Sequence, residues 1–281
     1  MFIKSKLQLL LLWYCLVAMV LSCKKKEQAN ITASTATASN PEIQVGADLV
    51  GNPNLNIKFV TGRYGAKENN LVRIEPQYFD PEYPKNANMF MNDEAYTAFK
   101  KMADAAKKEN ITIFIKSAFR SFWYQKRIWE DKWNGRKKVK DEDLSEVLPK
   151  AADRASRILQ YSSMPGTSRH HWGTDIDINA YNNDYFRSHP SGKKVYDWLQ
   201  KHAATFGFCQ PYTSEIRGNY PIGHREEKWH WSYKPISSRI MRDIRQYMTN
   251  QNIVGFDGEE VADELNILDH YINNISSACL D

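Results

Sequence analysis

The chain has 281 residues, 42% hydrophobic and 25% charged, with 38 Lys and Arg against 33 Asp and Glu and a formal charge of +5. Lys4, Lys6, Lys24, Lys25 and Lys26, offset by Glu27, carry that surplus and leave the remainder at +1, which argues against nucleic acid as a partner. The four cysteines, Cys15, Cys23, Cys209 and Cys279, have no metal-site spacing, so zinc-finger readings fail.

Lys4 and Lys6 precede an uncharged apolar run over residues 9–21, too short for a membrane span, which needs about 20 residues. Residues 1–22 therefore read as an export signal. The run closes on Val20, Leu21, Ser22 and Cys23, which resembles a bacterial lipobox. That resemblance implies a lipid on Cys23 and a catalytic portion tethered outside the cytoplasm. An uncleaved membrane anchor is the alternative. Residues 23–55 are expected to be the lipid-bearing cysteine and a flexible linker, because residues 27–54 are rich in Ala, Thr, Asn and Gly and lack periodicity. Residues 56–281 remain for one domain, long enough to bury a sizeable core.

Within that domain, residues 92–108 open with acids and close with lysines, the charge order a helix macrodipole favours. Residues 111–116 read as a strand and 121–133 as a helix, which places Arg120 at their junction. Residues 136–147 are highly charged and predict an exposed excursion; 148–162 predict a helix and 164–167 a turn. Residues 174–179 alternate strictly, with Asp175, Asp177 and Asn179 on one strand face and Ile176 and Ile178 on the other. A helix over 195–206, a strand from Gly207, an alternating strand over 229–233 and helices over 237–249 and 257–276 follow. Helices interspersed with short strands predict an α+β domain with a small, largely antiparallel sheet flanked by helices. Trp129 and Trp133, four apart, share a helix face and read as core.

Three segments carry chemistry. Ser168, His170, Gly173 and Asp177 form S-x-H-x-x-G-x-x-x-D, and Glu227, Trp229 and His230 form E-x-W-H. Ser117, Arg120, Ser121 and Gln125 form S-x-x-R-S-x-x-x-Q. Two imidazoles and a carboxylate match a catalytic zinc site with one position open to water, and a spare Glu beside it can take the water's proton. Together the segments, spanning about residues 110–235, resemble the zinc D-alanyl-D-alanine carboxypeptidases of the vancomycin-resistance type, which share their fold with hedgehog domains and related cell-wall peptidases.

The resemblance implies one zinc per chain on His170, Asp177 and His230, with Glu227 as general base and Arg120 steadying negative charge on substrate. Ser168 and Gln125 are implied as further substrate-binding or orienting residues. The implied substrates are peptidoglycan stem peptides, cut by a D-alanyl-D-alanine carboxypeptidase. An L,D-carboxypeptidase or an endopeptidase on the same scaffold, and a non-catalytic cell-wall binding module, are the alternatives. Only the family pattern selects these residues over their neighbours His171, Asp175, His224 and Glu226. His171 reads as a packed or surface imidazole. Asp175 shares a strand face with Asp177, which suits it to hold an imidazole of the site, at a position where the family more often has a small or apolar residue. Whether Cys209 and Cys279 pair stays open.

Overall fold

The computed structural model describes residues 56–84, 86–216 and 222–281; the expected signal, Cys23 and linker lie outside the described residues. Four strands form an antiparallel sheet in the order β3-β4-β6-β5: β3 is Ile115–Ser117, β4 Asp175–Ile178, β5 Phe208–Cys209 and β6 His230–Tyr233. A separate hairpin pairs β1 (Val72–Arg73) with β2 (Phe90–Met91). The helices in chain order are α1 (Ile57–Val60), α2 (Asp93–Lys108), α3 (Phe122–Trp133), α4 (Leu144–Val147), α5 (Ala151–Leu159), α6 (Asn183–Ser188), α7 (Pro190–His202) and α8 (Lys234–Tyr247).

Local chemistry starts these helices where expected. The Asn92 side chain accepts from the N–H groups of Glu94 and Ala95 and caps α2, whose Tyr96, Phe99, Met102, Ala103 and Ala106 recur at helical spacing on its buried side. Ser121 caps α3 in the same way, and Trp129 and Trp133 stack with ring centroids 6.0 Å apart. The sheet divides its residues by parity. Ile176, Ile178, Trp231 and Tyr233 join the apolar cluster of α2 and α7, while a second cluster gathers α3, α5, α8 and the C-terminal segment. The opposite parity, Asp175, Asp177, His230 and Ser232, supplies polar groups that are nevertheless buried.

Several expectations change. The strand expected over 111–116 forms a ladder only from Ile115; beyond it Asn179, at φ +60°, replaces strand pairing with its side chain, which accepts the Phe114 N–H at 3.1 Å and donates to the Thr112 carbonyl at 3.0 Å. The charged stretch 136–147 is not wholly exposed: Val139 and Leu144 insert into the core, and Asp143 caps α4. The continuous helix expected over 257–276 is broken into a 3-10 turn at Glu259–Val261 and a π-helical turn at Leu268–Asn273. Gly258 (φ +88°) and Asn266 (φ +44°) hold left-handed backbone there, which a helix interior does not accommodate. Cys209 and Cys279 form a disulfide with Cα atoms 5.5 Å apart, tying β5 to the last residues. Among the described residues no helix is long and apolar enough to cross a membrane.

Candidate metal centre

The ladder register brings two of the expected ligands together. Asp177 pairs directly with His230 across β4 and β6, and Ser117 pairs with Asp177 from the other side. His170 comes from a short 3-10 turn, Arg169–Trp172, that ends on Gly173 in the left-handed region (φ +71°). That left-handed backbone is what favours glycine here, since an L side chain at Gly173 would be strained and would also displace the Leu71 side chain, 2.8 Å from its Cβ. Side-chain atoms of His170, Asp177 and His230 all lie within 4.8 Å of one another, the one such group among the described residues.

Each imidazole presents a defined nitrogen. His170 Nδ1 lies 2.8 Å from the carbonyl of Ala118, which can only accept, so Nδ1 carries the proton and Nε2 faces Asp177 Oδ2 at 3.3 Å. His230 Nε2 lies 3.0 Å from Asp175 Oδ1, which leaves Nδ1 facing Asp177 Oδ1 at 3.5 Å and Glu227 Oε2 at 3.2 Å. Asp177 Oδ1 is buried without a hydrogen-bond partner among the described residues. Two inward-facing imidazole nitrogens beside an unsatisfied buried carboxylate oxygen fit a divalent cation with nitrogen and oxygen ligands, zinc being the usual occupant. The charge balance agrees. Burial opposes the His230 imidazolium, but bonds to Asp175 and Glu227 and the charge of Asp177 push its pKa up to about 9, the mark of a site that seeks positive charge.

The other expected residues fall around this triangle. Glu227 keeps a quarter of its side chain exposed and lines a cavity of about 440 Å³ together with Arg120, Ser168, His170, Asp177 and His230. A larger cavity of about 750 Å³ runs beside β5 and contains none of these residues, so size alone does not locate the chemistry. Arg120 Nη2 stands 3.9 Å from Asp177 Oδ2 and donates to Ser117 Oγ at 3.1 Å, while Nη1 donates to Gln125 Oε1 at 2.9 Å. Gln125 is fully buried behind Arg120, outside the cavity lining, and donates in turn to the carbonyl of Ser163 at 2.7 Å. Its contacts orient Arg120. Ser168 is buried on the cavity wall, and its carbonyl accepts the His171 N–H.

The neighbours in sequence separate cleanly. His171 turns away: its Nδ1 donates to the Arg120 carbonyl at 2.5 Å, its Nε2 accepts the Gly166 N–H at 3.1 Å, and burial pulls its pKa down to about 3. Glu226 is engaged by Arg187 at 2.7 Å and Lys228 at 2.9 Å. His224 packs its ring 4.3 Å from that of Tyr212, and burial lowers its pKa to about 4. Two residues near the centre gave no signal in the sequence. Tyr212 places its ring 5.0 Å from His230, and its carbonyl accepts the Glu227 N–H at 3.0 Å. Asn183 clamps the same segment, donating to the Glu226 carbonyl at 2.8 Å and accepting the Lys228 N–H at 3.0 Å. Neither belongs to a periodic pattern, and each acts through backbone groups that no motif encodes.

The VanY family of D-alanyl-D-alanine carboxypeptidases matches residues 88–236, a stretch that contains every residue of the centre. The chain belongs to this family. A family relative, a D-alanyl-D-alanine carboxypeptidase of Enterococcus faecalis (strain ATCC 700802 / V583), is 28% identical over 141 residues, covering 48% of this chain and 45% of that protein. The chain thus spans under half the length of that relative. YodJ of Bacillus subtilis (strain 168) is 26% identical over 233 residues, covering 75% of this chain and 76% of its own. A crystal structure of a vancomycin-resistance D,D-pentapeptidase VanY mutant in complex with Zn(II) is 23% identical, with a TM-score of 0.41 over 62% of this chain and 89% of that one.

Proposed function

We propose that this VanY-family chain is a zinc-dependent carboxypeptidase that removes the terminal D-alanine from peptidoglycan stem peptides, acting outside the cytoplasm on a lipid tether at Cys23. The observation that carries the reading is the buried triangle of His170, Asp177 and His230 with Glu227 Oε2 3.2 Å from His230 Nδ1 and open to the cavity. His170 Nε2, Asp177 and His230 Nδ1 would hold one zinc ion. When bound, zinc supplies positive charge that polarises a carbonyl and acidifies water.

The chain's own groups supply the rest. Glu227 accepts a proton from the attacking water and returns it to the departing amine. Arg120, held by Ser117 and Gln125, presents a permanently charged planar donor set to the oxygen on which negative charge develops. Ser168 offers its hydroxyl from the cavity wall to the bound peptide. Digestion of purified muropeptides by the full chain, with products identified by mass, tests the reading. Loss of one D-alanine from pentapeptides supports it. Loss of D-alanine from tetrapeptides, or opening of cross-links, moves the assignment to an L,D-carboxypeptidase or an endopeptidase. No product at all with zinc-loaded protein sinks the enzymatic reading and favours a binding module.

A further inference from the structure

Asp175 has no part in the proposed ligand set, yet it is fully buried two residues from Asp177 on the same strand face. A buried carboxylate persists only where donors replace its water. Asp175 has four. Arg169 Nε donates to Oδ1 at 2.8 Å and His230 Nε2 reaches the same oxygen at 3.0 Å. Thr174 Oγ1 and Ser232 Oγ donate to Oδ2 at 2.8 and 2.9 Å. The ladder explains the reach to His230. Asp175 pairs with Ser232 and Asp177 with His230, so the Asp175 contact to His230 is the diagonal of that pair, within range of a long side chain.

We infer that Asp175 is a positioning residue for the metal centre: by accepting the Nε2–H of His230 it fixes the imidazole tautomer and ring plane that turn Nδ1 toward the metal position, and Arg169 anchors Asp175 for this task. The inference rests on the zinc reading above. Carboxylates that hold ligand imidazoles in this way typically contribute a factor of about 10–100 in metal affinity. Arg169 is itself buried and has a second tie to the strand pair, Nη2 to Ser232 Oγ at 2.8 Å. A purely structural Arg169–Asp175 ion pair is the competing account. It needs no contact to His230, and replacing both members with apolar residues would leave the centre intact.

The test is zinc affinity, read by competition with a chromophoric chelator in the full chain, alongside circular dichroism and thermal melts of the metal-free proteins. Asp175→Ala is expected to bind zinc about 10–100-fold more weakly, and Asp175→Asn, whose amide oxygen still accepts, less so. The double variant Arg169→Met with Asp175→Leu removes the buried charge pair as a unit, which proteins often tolerate, and it is expected to lose zinc affinity as Asp175→Ala does. A folded double variant with wild-type affinity overturns the inference. In zinc-loaded wild type, a long-range ¹H–¹⁵N spectrum is expected to show a slowly exchanging proton on His230 Nε2. Its absence overturns the inference even if every variant fails to fold. A wild-type chain that takes up no zinc defeats the zinc reading and this inference with it; zinc uptake with variant affinities unchanged defeats this inference alone.

Discussion

Gln125 accepts a hydrogen bond from Arg120 Nη1 at 2.9 Å and passes the constraint on through its own amide to the carbonyl of Ser163. A cation beside the metal position is thereby held from behind by a residue with no access to the cavity. Gln125→Ala is expected to lower kcat for stem-peptide hydrolysis by about 10–100-fold, the usual cost of a misplaced reacting group, while zinc content stays at one equivalent. Turnover at the wild-type rate would remove Gln125 from the machinery.

Glu227 and His230 share a contact of 3.2 Å, but only Glu227 is proposed to move protons without holding the metal. Glu227→Gln keeps the shape and cannot accept the proton, so turnover should fall by about two to four orders of magnitude with zinc retained. His230→Ala should lose the metal altogether. Parallel measurement of hydrolysis and zinc content separates the two. Wild-type turnover in Glu227→Gln would pass the role to another group.

Much of this arrangement is legible in the sequence, for identifiable reasons. Period-two alternation by itself places Asp175 and Asp177 on one strand face, and the order of acids before lysines over residues 92–108 announces α2. What alternation cannot supply is register. Which residue of β6 faces Asp177, and that Asp175 reaches His230 along the diagonal, depend on strand pairing set by the whole domain. The residues behind the centre are hidden for a similar reason. Tyr212 and Asn183 hold the backbone of residues 226–228, Tyr212 through its own carbonyl, which every residue carries, and Asn183 through a side-chain amide whose partners lie over 40 residues away. The segment 257–276 carries a helix-like composition, and the positive φ at Gly258 and Asn266 overrides it locally.

Lys132 sits in the core with its ammonium donating to Ser162 Oγ. Burial, with Lys137 and Arg120 adding repulsion, lowers its pKa to about 8 from the usual 10.5. Between those values the unfolded chain holds a proton that the folded chain has released, so this group makes stability rise with pH over that window, and the penalty is complete below about pH 8. Lys132→Met should therefore unfold at higher denaturant than wild type at pH 7, by up to about 3 kcal/mol, with the gap closing toward pH 10. A gap that does not change with pH would mean the ammonium is not the source.

The Cys209–Cys279 disulfide closes a loop of 70 residues around β6 and the C-terminal segment. Cys279→Ser is expected to cost about 2–4 kcal/mol of folding stability in urea titrations, through the larger freedom of the unfolded chain. Unchanged stability would show that the C-terminal segment is held by its apolar contacts alone.

Anchoring is tested apart from the chemistry. If Cys23 carries lipid, Cys23→Ser should shift the protein from the membrane fraction to the soluble envelope fraction or leave its signal uncleaved. A variant that is processed and fractionates like wild type would retire the lipobox reading.

Because the three ligand positions are drawn from a turn and from two strands that meet late in the sequence, the centre has an order of assembly. A chain emerging from synthesis or export with residue 230 still withheld presents only His170 and Asp177, two of the three positions. Completion of the β4–β6 ladder, which pairs Asp177 with His230, is therefore the step that completes the ligand set. An ion bound there would act as a rivet driven after the frame is joined, adding stability in proportion to the logarithm of free metal concentration.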